Sequence, residues 1–178
     1  MPHDHACTDP ACGCGHDHGA DHGPRPPVAT APAPWRPAPG IAVTAVAVFL
    51  REGQILCAPV HADDGTIKGW QPLGGPVAPG ERAADAVQRW IADSTGQQIG
   101  DLAPLGVLEH LYRHEGAIGH EIVFAFTARF ATPEIYEADA LALTLAGRPE
   151  EAKWVSLAKA RAGRLMLWPE GLADLLPG

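Results

Sequence analysis

The stretch GGPVAPGERAADAVQRWIADSTG, residues 74 to 96, decides the fold of this chain. Two glycines and a short loop lead into a helical pattern that runs from about Glu81 to Thr95. The apolar side chains share one side of this helix: Ala83, Ala86, Val87, Trp90 and Ile91. The charged side chains follow one another at every fourth position on the other side: Glu81, Asp85, Arg89 and Asp93. Gly96 stands where a left-handed residue closes a helix, so the stretch predicts an amphipathic helix packed on other elements.

Strand patterns lie on both sides of this helix. IAVTAVAVFLREGQILCAPV at 41–60 contains two β-like runs around the turn signal REG, and LGVLEHLYRH and HEIVFAFTARF form a second hairpin around EGAIG. HADDGTIKGW at 61–70 predicts a polar turn, and EEAKWVSL predicts a shorter strand. SLAKARAGRL and WPEGLADLL predict short helical pieces near the end. These elements together predict an α+β sandwich.

Composition and charge exclude several classes of protein. The chain has 13 basic and 21 acidic residues and a formal charge of -8, which disfavours a polynucleotide or an anionic membrane as partner. Its longest apolar run, residues 41–50, is about half the roughly 20 residues that span a bilayer, and it predicts a buried strand. No signal peptide is visible, so we expect a cytoplasmic protein in which Cys57 is a buried thiol.

The first 40 residues have a different composition from the remainder. Residues 1–24 form a His- and Cys-rich tail, residues 25–40 form a Pro- and Ala-rich linker, and neither part has the periodicity of a packed domain. The tail is therefore expected to be disordered. Imidazole and thiolate groups suit zinc, nickel, cobalt or copper, whether as chance binding or as a sensor, buffer or delivery arm. The candidate ligands are His3, His5, Cys7, Cys12, Cys14, His16, His18 and His22.

Residues 41–178 resemble the Nudix hydrolase family. Gly75, Glu81, Arg89, Ile91, Asp93 and Gly96 follow the spacing of the Nudix box, here residues 75–96, and WQPLGG, GVLEHLYRHEGAIGHEIVFAF and WPEGLADLL resemble other segments of the family. The resemblance implies an α/β/α sandwich with a mixed central sheet. It also implies that Gly75, Arg89 and Gly96 are structural, and that a homodimer is a further expectation.

The chemistry implied by the resemblance is hydrolysis of a nucleoside diphosphate linked to another group. Magnesium or manganese ions neutralise the diphosphate and lower the pKa of the attacking water. These hard ions need several oxygen ligands, which the family supplies as glutamates on the box helix. The expected partner is therefore a small phosphorylated ligand.

The box departs from the family at its metal ligands. Its three glutamates fall on Trp90, Asp93 and Ser94, so two carboxylates are lost and the third is one methylene shorter. Weak or lost pyrophosphohydrolase activity is the resulting expectation. The alternative is an active hydrolase with a rearranged magnesium or manganese site, in which the predicted catalytic groups are Glu81, Asp93 and Glu121. Glu109 and Glu115 are further candidates for an extra carboxylate.

Simpler interpretations exist for the remaining polar residues. The acidic side of the helix can be a solvated face with Arg89 paired between Asp85 and Asp93. A metal or general-base role is conceivable for three histidines near the second hairpin, but polar surface is the expectation for His110, His114 and His120. Substrate contacts are predicted in HADDGTIKGW and RHEGAIGHE, and Trp70 is either a stacking surface or a core residue.

Overall fold

The computed structural model describes residues 35–176 and contains eight strands and two α-helices within that range. The strands are β1 (Ile41–Val48), β2 (Leu50–Arg51), β3 (Gln54–His61), β4 (Ile67–Pro76), β5 (Ile99–His114), β6 (Ala117–Phe130), β7 (Ala140–Leu145) and β8 (Arg148–Ser156). The helices are α1 (Ala83–Thr95) and α2 (Leu157–Arg161). Two short 3-10 helices span Pro133–Tyr136 and Leu172–Leu175.

The strands form one mixed sheet in the order β5-β6-β1-β4-β3-β8-β7, and β2 pairs with β3. β1 and β6 are parallel, whereas the neighbouring pairs on either side are antiparallel. β4 connects the two halves of the sheet. Its first part pairs with β3 up to Pro72, and Leu73–Pro76 pairs with β1. The loop that leads from β4 to α1 therefore starts from the middle of the sheet.

Alternating side chains build an apolar cluster on each face of this sheet. One cluster contains Ala45, Ala47 and Phe126 and is covered by α1 through Ala86, Val87 and Ile91. The other contains Val46, Val48 and Ala125 and is covered by Leu157 of α2 and by Leu172 and Leu176 of the C-terminal segment. Helical elements on both faces of a mixed sheet confirm the predicted sandwich. We call the two faces the α1 face and the opposite face.

Several element boundaries differ from the sequence predictions. The turn predicted over 61–70 is wrong in its second part, because Ile67 already belongs to β4 and pairs with His61. The hairpin loop predicted as EGAIG contracts to Glu115 and Gly116, which both have positive φ. β7, with its alternating sequence ALALTL, was not among the predicted elements. The predicted turns were too long because strand pairing also includes Lys68, Gly69 and Gly119, which have weak strand preference of their own.

No helix within residues 35–176 has the length and apolar character needed to cross a bilayer. The His- and Cys-rich tail and most of the linker lie outside the described residues, so their boundaries and the disorder expected of the tail stay predictions. The cytoplasmic location also stays a prediction.

Candidate functional site

The box loop and helix have the geometry that their sequence indicates. α1 begins at Ala83 after a loop through Pro76 and Gly80, and it ends at Thr95. Gly96 adopts a left-handed φ of 70° and donates its backbone N–H to the carbonyl of Ala92. A residue with a Cβ is strained in this conformation, which explains the glycine at the end of the helix.

Glu81 and Arg89 join the loop to the helix. Arg89 donates from Nε to Glu81 Oε1 at 2.7 Å and from Nη2 to Oε2 at 2.9 Å. Arg89 Nη2 also donates to the Pro76 carbonyl at 3.2 Å, and the Ala78 backbone N–H donates to Glu81 Oε2 at 3.0 Å. The bidentate pair with Arg89 and the Ala78 hydrogen bond lower the pKa of Glu81 to about 2. Both carboxylate oxygens of Glu81 are thus already engaged within the protein.

Asp93 lies beside the same arginine but makes a looser contact. Arg89 Nη1 is 3.9 Å from Asp93 Oδ2, and the Asp93 side chain is 72% exposed. The predicted pairing of Arg89 between Asp85 and Asp93 is wrong for Asp85, because the loop folds back and places Glu81 there. Sequence spacing within a helix could not reveal this contact with a residue before the helix.

Trp90 covers the backbone of β4 at the start of the box. A Cβ added to Gly75 would lie 2.1 Å from both Cδ1 and Nε1 of the Trp90 indole. The half-buried indole also packs against the apolar cluster on the α1 face. Ser94 turns back to its own helix, where Oγ is 3.5 Å from the Ile91 carbonyl. Where the family has two carboxylates, this chain therefore has an indole packed on glycine and a hydroxyl.

Glu121 lies on the opposite face of the sheet, in register with His110. Its Oε1 accepts a hydrogen bond of 2.6 Å from the Tyr112 hydroxyl. Because side chains alternate along β6, Glu121 lies on the same face as Val123, which belongs to the opposite-face cluster. The structure therefore does not bring Glu121 together with Glu81 and Asp93.

The histidines of the second hairpin occupy three different environments. His110 is 8% exposed and stacks on Tyr112 at 4.6 Å between ring centroids, and burial lowers its pKa. His114 is 7% exposed and meets the Trp35 ring edge to face. The expectation of polar surface is wrong for these two, because they are buried in the fold, with Tyr112 stacked on His110 and Trp35 packed on His114. His120 lies on the α1 face, where Nε2 is 3.0 Å from Glu109 Oε1.

A band of exposed apolar residues lies on the α1 face beside the box loop. Ile41 and Val43 of β1 are 61% and 40% exposed, and the Val43 carbonyl accepts the backbone N–H of Val77 in the loop. The band continues across the neighbouring strands through Ile118 and Leu111, with the Glu109–His120 pair beside it. Sequence reasoning missed this surface, because it assigned the whole apolar run of β1 to the core, whereas Ile41–Val43 at its start are exposed and Ala45–Val48 are buried.

The two segments predicted to contact substrate approach each other away from the box. Lys68 Nζ lies 3.4 Å from Glu115 Oε1, which joins the β3–β4 region to the tip of the second hairpin. Trp70 is partly buried against the opposite-face cluster, consistent with a core role. Thus Glu115 is engaged at the hairpin tip, and Glu109 is the hairpin carboxylate on the α1 face.

A magnesium or manganese ion of the kind used by the family does not fit the side chains that the structure describes at the box. Within residues 35–176, no three His, Cys, Asp or Glu side chains converge as metal ligands. Glu81 is held by Arg89, and Asp93 remains the only carboxylate at the three box positions. The tail ligands, from His3 to His22, lie outside the described residues.

Comparison with known families identifies the domain. The model of the NUDIX domain matches residues 38–176. The chain belongs to the Nudix family. The resemblance seen in the separate sequence segments is therefore confirmed, and hydrolases of this family act on small nucleotide-like substrates with magnesium or manganese.

Solved structures of the family share the fold. The chain is similar to a NUDIX hydrolase from Nitrosomonas europaea, with 19% identity over 76% of this chain and 86% of that one, and a TM-score of 0.52. It is similar to a MutT protein from Methanosarcina mazei Go1, with 22% identity over 76% and 89% of the two chains, and a TM-score of 0.51. No curated protein gave a significant match. At these identities the likeness establishes the fold alone.

Proposed function

We propose that this Nudix domain binds a small phosphorylated ligand of the nucleoside diphosphate-linked class and hydrolyses it weakly or not at all. The observation that carries the proposal is the packing of the Trp90 indole on Gly75, at a position where the family has a glutamate. An indole can neither ligate a hard cation nor add negative charge. The change therefore removes a metal ligand while it adds apolar contact between helix and sheet.

The remaining groups support loss of the metal chemistry. Ser94 offers a neutral hydroxyl, and Glu81 has both oxygens engaged by Arg89 and Ala78. Magnesium and manganese sites depend on several anionic oxygens, and only a bound cation would lower the pKa of an attacking water. Because Asp93 is the only carboxylate at the three ligand positions and lies 3.9 Å from Arg89, the box lacks the ligands for such activation.

The ligand-binding half of the proposal rests on the surface beside the box. The apolar band from Val43 to Ile118 is open to solvent, and the structurally important Gly75, Arg89 and Gly96 are retained. An exposed apolar surface next to a loop that the family uses for phosphate chemistry favours a ligand with one apolar and one phosphorylated part. The charge of -8 disfavours a polynucleotide in this role.

The test restores the family residues at both positions. Trp90→Glu with Ser94→Glu should bind manganese measurably by calorimetry, because the helix spacing is intact, whereas the wild type should not. Gln88→Glu with Gln98→Glu adds the same charge at exposed positions away from the box ligands and is the matched control. Phosphate release from a panel of nucleoside diphosphate derivatives is then compared for all three proteins with magnesium and manganese.

The outcomes separate the two interpretations. If the wild type releases no phosphate and the restored variant does, the result supports a binding domain that has lost its metal ligands. Turnover by the wild type at rates typical of enzymes, about 1 per second or more, would overturn the proposal. That result would favour a rearranged metal site built from Glu81, Asp93 and Glu109, since Glu109 lies on the α1 face and Glu121 does not.

A second function is proposed for the tail, supported by its composition. Eight His and Cys ligands lie within residues 3–22, interleaved with glycines that let the backbone wrap around an ion. We expect the full-length protein to bind about one or two zinc, nickel, cobalt or copper ions. Zinc titration against a competing chelator measures this binding, and replacing Cys7, Cys12 and Cys14 by serine should weaken it strongly. An affinity no better than millimolar would exclude the function.

A further inference from the structure

Strand β5 forms one edge of the sheet. Within residues 35–176 it pairs with β6 alone, so its outer side has no partner strand there. The register shifts of β5 and its proline lie before Gly106, and the pairing from Gly106 to His114 is regular. Natural proteins usually protect such edges with prolines, bulges or short strands, because a regular edge is a template for another strand. Between Gly106 and His114 the outer edge of β5 has no proline or bulge, and its two exposed charges, Glu109 and Arg113, have opposite signs.

The hairpin turn determines which backbone groups face outwards. Glu115 and Gly116 have φ values of 49° and 83°, as in a two-residue type I′ turn, so the flanking His114 and Ala117 form the hydrogen-bonded pair. Hydrogen-bonded and non-bonded pairs alternate along an antiparallel ladder. The backbone N–H and C=O groups of Glu109, Leu111 and Arg113 therefore point away from β6, towards the open edge.

The side chains of these same residues form a self-complementary pattern. All three lie on the α1 face, in the order acidic, apolar, basic, and each of them is exposed. Leu111 is 63% exposed, so its side chain is accessible to a partner strand at this edge. Consider a two-fold axis that is perpendicular to the sheet and passes midway between the Leu111 residues of two copies. It would place Glu109 of each copy opposite Arg113 of the other, with the two leucines in contact between these charge pairs. Opposite charges facing each other stabilise a strand pair, whereas like charges destabilise it.

We propose that two copies of this protein pair through their β5 strands, antiparallel and centred on Leu111, to form one continuous sheet across a symmetric dimer. The occupant of the edge is a second copy because the charge pattern is complementary to itself in reverse order. An isologous interface requires this property, since residue i contacts residue j and residue j contacts residue i. The apolar band of each copy then extends to that of its partner on the same side of the sheet.

The experiment measures the dimer dissociation constant of the full chain by sedimentation equilibrium. Arg113→Glu places like charges opposite each other at two symmetric positions and should raise the dissociation constant roughly tenfold or more. Glu109→Arg combined with Arg113→Glu restores opposite charges and should return the constant to within about threefold of the wild type. Leu111→Pro removes a backbone donor that faces the open edge, and it should give a monomer with an unchanged far-ultraviolet spectrum.

A matched control distinguishes association through the β5 edge from association through the apolar band. Ile41 is 61% exposed on the same face but lies on β1, two strands away from the open edge, so Ile41→Lys should leave the dissociation constant unchanged. A monomeric wild type at concentrations up to about 100 μM would overturn the proposal, since specific homodimers are normally formed there. A dimer abolished by Ile41→Lys and insensitive to Arg113→Glu would also overturn it, because the copies would then associate through the apolar face.

Discussion

Replacing Gly75 by alanine should lower the free energy of unfolding, and this loss should require the indole of Trp90. The new Cβ would lie 2.1 Å from two atoms of the indole, whereas carbon atoms in contact are normally about 3.5–4.0 Å apart. The indole must therefore move by more than about 1 Å, out of its packing against the α1-face cluster. This overpacking is expected to cost about 1–3 kcal/mol.

An effect on the unfolded chain opposes the clash and reduces the net loss of stability. Alanine restricts the unfolded chain more than glycine does, which stabilises a compatible site by about 0.4–1 kcal/mol. Gly75 has no positive φ, so alanine can adopt its backbone conformation. We therefore expect a net loss of about 1–2 kcal/mol in the wild type and a small gain in a Trp90→Ala background. The coupling energy between the two positions should be about 1–3 kcal/mol.

Urea denaturation of the four proteins in this double-mutant cycle measures the coupling. Each midpoint is converted to a free energy of unfolding with its own slope, and thermal midpoints should shift by about 3 °C per kcal/mol. Gly100→Ala is the matched control, because Gly100 also lies in a strand and a Cβ there has no heavy atom within 4 Å. If Gly75→Ala has the same effect with and without Trp90, the indole does not cover Gly75 and the argument for the box is wrong.

Three further predictions follow from individual side chains. Glu81 has a folded-state pKa of about 2 against an ordinary value of about 4.5, so its contribution to stability is complete above a pH of about 4.5 and is lost as the pH falls towards 2. Between these two pH values, the free energy of unfolding should therefore fall less in Glu81→Gln than in the wild type. An equal fall in the two proteins would contradict the prediction. Tyr112→Phe removes the hydrogen bond to Glu121 and should lower the free energy of unfolding by about 1 kcal/mol in urea, whereas a neutral result would mean that water replaces it. Burial raises the pKa of the Cys57 thiol, so mass spectrometry after brief treatment with a thiol reagent at pH 8 should find Cys57 unmodified in the native protein and modified in urea, and equal labelling would show that β3 opens easily.

The sequence alone determined the elements whose signals are local. The apolar side of the box helix, its end at Gly96 and the alternation in the main strands depend on spacing along a few residues, and the structure confirms them. Family membership also followed from the sequence, because the spacing of the box agrees with the family and so do several segments on either side of it, and the family model matches residues 38–176. Local patterns of this kind need no knowledge of which strands become neighbours.

The tertiary structure decided which of these residues meet. Alternation shows that Glu121 and Val123 share a face of β6, but the order of strands in the sheet determines that α1 covers the other face. The helix pattern places Trp90 on its apolar side, yet only packing shows that the indole lies on Gly75. Arg89 likewise pairs with Glu81 because the loop folds back over the helix. Contacts between elements depend on long-range packing that no local period encodes, and for that reason the box ligands could be counted from sequence while their surroundings could not.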